Sequence, residues 1–275
     1  MADTAFPIAG AVPGGRLAAL FRHLGRRLVP WLVPLAILVV WEVAARVGWL
    51  SSRVLPEPLA VVKAGVALAA SGELLQHVRV SAGRAFTGFA IGGGLGLLLG
   101  LLTGSFRKVE IALDTTLQMI RNIPPLALIP LVILWFGIDE TAKLFLIALG
   151  VFFSVYINTF HGIRSVDPAL IEMGRSYGLK GWSLYREIIL PGALSSILVG
   201  VRYGLGFMWV ILIVAETISA QAGIGYMTMN AREFLQTDVV LLGIVLYALL
   251  GKLADVAARQ LERRWLKWNA AYTAA

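Results

Sequence analysis

Four residues recur at seven-residue intervals in one apolar stretch of the chain: Ser195, Arg202, Trp209 and Glu216. Seven residues is close to two helical turns, so in a helix they form one slowly drifting stripe. Arg202 stands about ten residues in from Pro191, roughly 15 Å at the helical rise, near the middle of a bilayer. An arginine there costs about 2.5–3.5 kcal/mol on insertion scales, so it must face protein or water. Arg202, Trp209 and Glu216 suit the wall of a pathway that favours an anion. They equally suit a structural ion pair, with Glu42 of the first apolar segment as the partner of Arg202. Arg121 and Asn122 form a second pathway candidate, although Arg121 is also placed to extend toward the nearer interface. Bond-breaking chemistry is not indicated. The chain has no cysteine, hence no thiolate nucleophile, disulfide or thiolate metal site. His23, His77 and His161 lie far apart and read as interfacial or loop residues rather than metal ligands, so no metal site is expected.

The elements that must carry these residues are membrane helices. Of 275 residues, 58% are hydrophobic and 15% charged, and the mean hydropathy is +0.79. That balance describes an all-α integral membrane protein rather than a soluble domain. Its net charge of +8 fits cytoplasmic loops facing anionic lipid rather than nucleic acid. A crossing helix needs about 20 mostly apolar residues. Six segments come close: 29–50, 85–104, 117–137, 142–161, 193–215 and 238–255. Arg22, Arg26 and Arg27 before the first resemble a secretory signal, but the apolar run continues past signal length with no convincing cleavage site, so it reads as a retained span. Lys and Arg favour the segments that would be inside if the N-terminus is inside, which places both termini in the cytoplasm. The division is then a cytoplasmic segment 1–28, a transmembrane domain 29–255 and a cytoplasmic tail 256–275. The mixed polarity of 56–84 suggests surface helices running into the second span. That span carries glycine at 88, 92, 96, 100 and 104, one face of a helix, which predicts close helix packing. No Lys-Ser/Thr follows to make "GGGLGLLLG" a phosphate loop.

Between the fourth and fifth segments lies a polar island, "EMGRSYGLKGWSLYREIILPG" (172–192). Asp167 is placed to cap a helix that Pro168 opens. Leu170, Ile171, Met173, Gly174 and Tyr177 give it an apolar face, and Gly178 suits a left-handed end. A second short helix is expected over Trp182–Ile189, with Pro191 opening the fifth span. Such a hairpin either rests on lipid or docks a cytoplasmic partner.

Glu172, Gly178 six residues on, and Ile189-Leu190-Pro191 resemble the "EAA" loop of permease subunits in ATP-binding-cassette importers. The alanines of that name are replaced by Met173 and Gly174. "RNIPPLALIPLVILWFGIDETAKLFLIALGVFF", "NTFHGIRSVDPALIE" and "LIVAETISAQAGIGYMTMNAREFLQTD" are similar to the nitrate/sulfonate/taurine branch, nearest in pattern to its aliphatic sulfonate permeases. Ser195 departs from the proline common there after "PGAL". The resemblance implies an inner-membrane importer permease for an aliphatic sulfonate or, alternatively, taurine, nitrate or another small anion. It implies a second copy of the chain, two cytoplasmic ATPase subunits and an external solute-binding protein. ATP and Mg2+ would sit on the ATPase, with no cofactor and no catalytic residue on this chain. Asp167, Glu172, Arg175, Gly178, Leu179 and Pro191 would couple to that ATPase. A stand-alone secondary transporter or channel is the rival class; no inverted repeat or paired broken helix is visible to support it.

Overall fold

Glycines spaced by four let two long helices lie almost backbone to backbone, and the architecture is built on that seam. The computed structural model describes residues 29, 32–51 and 54–268, and every regular element among them is helical. Contacts divide the chain into two units, one up to Val61 and one from Val62. The first holds helix α1 (32–46), in which Glu42 pairs with Arg46 at 2.6 Å and accepts the Leu59 N–H at 3.2 Å. Helix α2, Pro58–Ala70, runs across the division.

In the second unit α3, Glu73–Ser105, packs along α6, Glu140–Arg164, through the glycine row. A Cβ on Gly88 would stand 2.6 Å from Ile147, and one on Gly96 2.5 Å from the Phe152 carbonyl oxygen. On Gly100 it would stand 2.6 Å from Thr159, and on Gly104 2.8 Å from Ile163. Gly92 lies against the Ala148 backbone. On its other side α6 meets α9, Leu190–Ser219, with Gly150 against Ile211 and Gly200 against Asn158. Ile147, Val151, Val155, Met208, Leu212 and Ala215 fill the core between them.

The expected span 117–137 is broken. Helix α4, Arg107–Arg121, meets a 3-10 turn, Pro125–Leu128, and α5, Ile129–Phe136, at an angle of 82°. Pro124 and Pro125 are the cause: neither supplies an N–H to continue the helix, and Pro124 is extended at φ −60°, ψ 126° as the residue before a proline. At its other end α4 is tied to α6 by an ion pair of Glu110 with Arg164.

Three further boundaries differ from expectation. The second span begins at Glu73, well before residue 85. Pro191 does not open the fifth span, because the helical path runs unbroken over Gly181–Ile218. Helix α8, Gly181–Leu184, enters α9 through a wide turn, Tyr185–Ile189, where the Leu190 N–H donates to the Tyr185 carbonyl. That one-residue register change accommodates a proline that has no N–H and whose ring crowds the preceding turn. The last helix, α11, Thr237–Trp265, continues into the expected tail. Between α9 and α11 stands α10, Ile224–Glu233, an element not expected separately. Among the described residues four helices are long and apolar enough to cross a membrane, or five if the bent pair makes one span. The expected first span, 29–50, and the segment 1–28 lie partly or wholly outside the described residues.

Because backbone rather than a flexible side chain faces Gly96, Gly96→Leu is expected to cost about 1–3 kcal/mol or more by overpacking. Gly94, with open space where a Cβ would sit, is the control. Thermal unfolding in detergent should show a lowered midpoint for Gly96→Leu and little change for Gly94→Leu.

Candidate functional site

Glu216 sits deep in α9 with 1% of its surface exposed, and a carboxylate so placed must be surrounded by donors. Four groups supply them. Arg84 of α3 donates from Nη1 to Oε1 at 2.8 Å, Tyr247 of α11 from its hydroxyl to Oε2 at 3.0 Å, and the Gly225 N–H of α10 to Oε2 at 2.8 Å. The Ser81 hydroxyl lies 2.8 Å from both oxygens and accepts the Ile224 N–H at 2.8 Å. Arg84 turns its remaining edge to Glu140 at the start of α6, two parallel bonds of 2.6 Å, and donates to the Ala222 carbonyl. Lys143 closes on the same Glu140 carboxylate at 3.4 Å.

The loop between α9 and α10 is shaped to fit. Gly223 has φ 117°, and a Cβ there would meet Glu216 Oε1 at 2.5 Å and Arg84 Nη1 at 2.7 Å. Its N–H donates to His77 Nδ1 at 3.1 Å, which leaves the imidazole proton on Nε2. This clasp joins α3, α6, α9, α10 and α11. Glu216 thus faces a filled polar cluster. Of the clasp's other members, sequence reasoning missed Ser81, Arg84, Tyr247 and Gly225, which meet Glu216, and Glu140, which meets Arg84. Arg84 and Glu140 stand at the edges of apolar segments, where a charge is unremarkable. The available signal is Glu216 itself, since a lone carboxylate within a span requires a cation.

The rest of the stripe meets other surroundings. Arg202 pairs with Asp255 of α11 at 2.9 Å and with Glu262 at 3.6 Å, and Asp255 is shared with Arg259 at 2.6 Å. The suggested Glu42 partner is instead committed to Arg46. Trp209 is buried in the core and makes a T-shaped pair with Phe86, ring centroids 6.3 Å apart. Arg121, the last residue of α4, is exposed at the bend and lines a cleft with residues of α6 and α9. Asn122 caps α4 outside that lining.

The polar island folds as a hairpin. Asp167 accepts the Ala169 N–H at 2.8 Å and caps α7, Pro168–Ser176, whose first residue is proline. Gly178, at φ 87°, ends it: the Leu179 N–H reaches the Gly174 carbonyl at 3.0 Å and the Gly178 N–H that of Arg175 at 2.9 Å. This paired bonding is the Schellman closure. The buried Gly174 lets α7 rest on Leu184 and Ile188, and Ile171 packs with Ile163, Val166 and Ala193 where α6 and α9 meet the hairpin. The expected apolar face is divided. Gly174 and Ile171 turn inward, while Tyr177 is 82% exposed. Trp182 is exposed as well and stacks on Tyr185 at 5.7 Å. Glu172 and Arg175 are exposed and Pro191 is half-buried at the hairpin's exit.

Long apolar helices, a small-residue seam, an internal polar clasp and a charged hairpin between two spans define a polytopic α-helical membrane protein. Residues 92–267 match the family described as binding-protein-dependent transport system inner membrane component, and the chain belongs to that family. It is 64% identical over 246 residues to an Escherichia coli (strain K12) protein named as the putative aliphatic sulfonates transport permease SsuC, covering 90% of this chain and 94% of that one. It is 46% identical over 268 residues to the Bacillus subtilis (strain 168) protein of the same name, covering 96% and 97%. A crystal structure of an amino acid ABC transporter with histidines shares the fold at a TM-score of 0.55 and 20% identity, over 71% of this chain and 97% of that chain.

Arg84→Met leaves Glu216 buried with its cation gone, and is expected to cost about 3–5 kcal/mol. Adding Glu216→Gln removes the orphaned charge and should recover part of that loss. Thermal unfolding of the two variants beside wild type measures both effects.

Proposed function

We propose that the chain is the membrane-spanning permease subunit of an ATP-driven importer that carries aliphatic sulfonates inward. The observation that carries this reading is the similarity, over nearly the full length, to two bacterial relatives both named for aliphatic sulfonates. The family implies an ATPase and a solute-binding protein as partners. We infer two ATPase subunits holding ATP and Mg2+, a second copy of this chain, six spans with both termini cytoplasmic, and the hairpin facing the ATPase. Hydrolysis then belongs to the ATPase, and this chain contributes the path and the lever.

The hairpin's geometry suits that lever. A coupling element must be rigid within itself and stiffly joined to a spanning helix. The Schellman closure at Gly178 supplies the first property, together with the packing of Gly174 on Leu184 and Ile188. The unbroken path Gly181–Ile218 supplies the second, since a push on the hairpin enters α9 without passing a loop. Exposed Glu172, Arg175, Tyr177 and Trp182 are the groups free to meet a partner surface. Asp167 and Leu179 fix the two ends of α7 that present them.

Proteoliposomes holding the chain with its ATPase and solute-binding protein test the reading. ATP-dependent uptake of ethanesulfonate, resisting competition by nitrate, is expected. Uptake driven by an ion gradient without ATP would favour a secondary transporter instead. Within this assay Gly178→Val, whose branched side chain resists the left-handed turn, should insert normally and lose transport. Normal ATP-driven uptake by that variant would remove the hairpin from the coupling role.

A further inference from the structure

Arg84 is held by the carboxylates of Glu140 and Glu216, and Arg202 by those of Asp255 and Glu262. Arg121 is different. No carboxylate lies within ion-pair distance of it among the described residues, although it stands in the bent pair that together is apolar enough to span. It sits at the 82° break, just before the two prolines. Broken backbone at membrane depth is tolerated where it is buried in protein or lines a water-filled cavity, and an ionisable residue there calls for a partner.

The surroundings of Arg121 describe that partner. It lines a cleft of about 260 Å³ with Ser154 and Asn158 of α6 and Tyr203 of α9, and with the rings of Phe153 and Phe207. Asn158 spends one N–H on the Ser154 carbonyl at 2.8 Å, and its second N–H is available. Tyr203 is 64% exposed and Phe207 49%. The cleft therefore offers a planar cation, an amide and a phenol as donors, no carboxylate among its lining, and two apolar rings. A guanidinium can hold two oxygens of an oxyanion at once, and the rings suit a short alkyl tail. We infer that this cleft is a low-affinity subsite for the sulfonate group of an alkanesulfonate in transit, with Arg121 as its anion-binding residue and Asn158 and Tyr203 as its further donors. The inference rests on the functional reading above and adds to it a substrate contact within the permease itself.

The test uses the complete transporter in proteoliposomes with ethanesulfonate as probe, and size-exclusion chromatography for assembly. Arg121→Gln should assemble and lower ATP-driven uptake about tenfold or more, the loss of one charge-assisted pair. Arg121→Lys keeps the charge without the fork and should restore part of the rate. Uptake by Arg121→Gln within about twofold of wild type, a difference of under 0.5 kcal/mol, overturns the inference and leaves the functional reading standing. Absence of ATP-driven ethanesulfonate uptake by the wild type overturns both. Should Arg121→Gln fail to assemble, Asn158→Asp decides: a carboxylate in the cleft repels the sulfonate and neutralises Arg121. It should lower uptake about tenfold with assembly intact, and unchanged uptake by it overturns the subsite.

Discussion

One buried carboxylate constrains the helical unit. Glu216 lies in the apolar interior of α9, where an uncompensated charge is costly, so donors from neighbouring elements must converge on it. Arg84 must come from α3 and Tyr247 from α11, and the Gly225 N–H must turn inward, which requires a loop with a glycine at φ 117° just before α10. Arg84 in turn captures Glu140, the first residue of α6. The relative positions of five helices at this end of the unit are set by one group's need for hydrogen bonds.

The glycine seam does the corresponding task along the helix lengths. Close approach of α3 and α6 adds contacts without a hydrophobic driving force, which is scarce between helices already in lipid. Seam and clasp are complementary. Small residues permit the approach but do not choose a register, because a slide by one turn replaces glycine with glycine. The Arg84–Glu140 pair distinguishes one register from the next. The Arg84 guanidinium is the buried member of that pair and Glu140 the exposed one, so a slide that separates them leaves the buried cation short of one carboxylate.

Away from the clasp, the chain carries other polar groups at places where helices bend or end. The prolines at 124 and 125 bend the α4–α5 pair beside Arg121, the wide turn at Tyr185–Ile189 carries the path past Pro191, and Gly178 closes α7. Each departure from regular helix is local and has a named residue behind it. The joined α8–α9 path makes the hairpin mechanically continuous with the helix that holds Glu216. The hairpin and the clasp thus stand on one continuous helical path.

Features governed by neighbours along the chain are legible in the amino-acid sequence alone. The apolar segments, the glycine face at 88–104, the Asp167 cap with Pro168, and the left-handed turn at Gly178 all follow from spacing and backbone sterics. Two local signals are outweighed. Averaged hydropathy carries the expected span through Pro124 and Pro125, where the chain in fact bends, and Pro191 has the position of a helix start although a register change lets the helix pass through it. What tertiary structure decides is pairing. Sequence offers Glu42 to Arg202, and the fold supplies Asp255 and Glu262; sequence puts Glu216 on a pathway stripe, and the fold surrounds it with groups 132 and 135 residues distant. A charge inside an apolar helix announces that a partner must exist. Which partner it meets depends on helix rotation and depth, and these are set by packing among helices far apart in sequence.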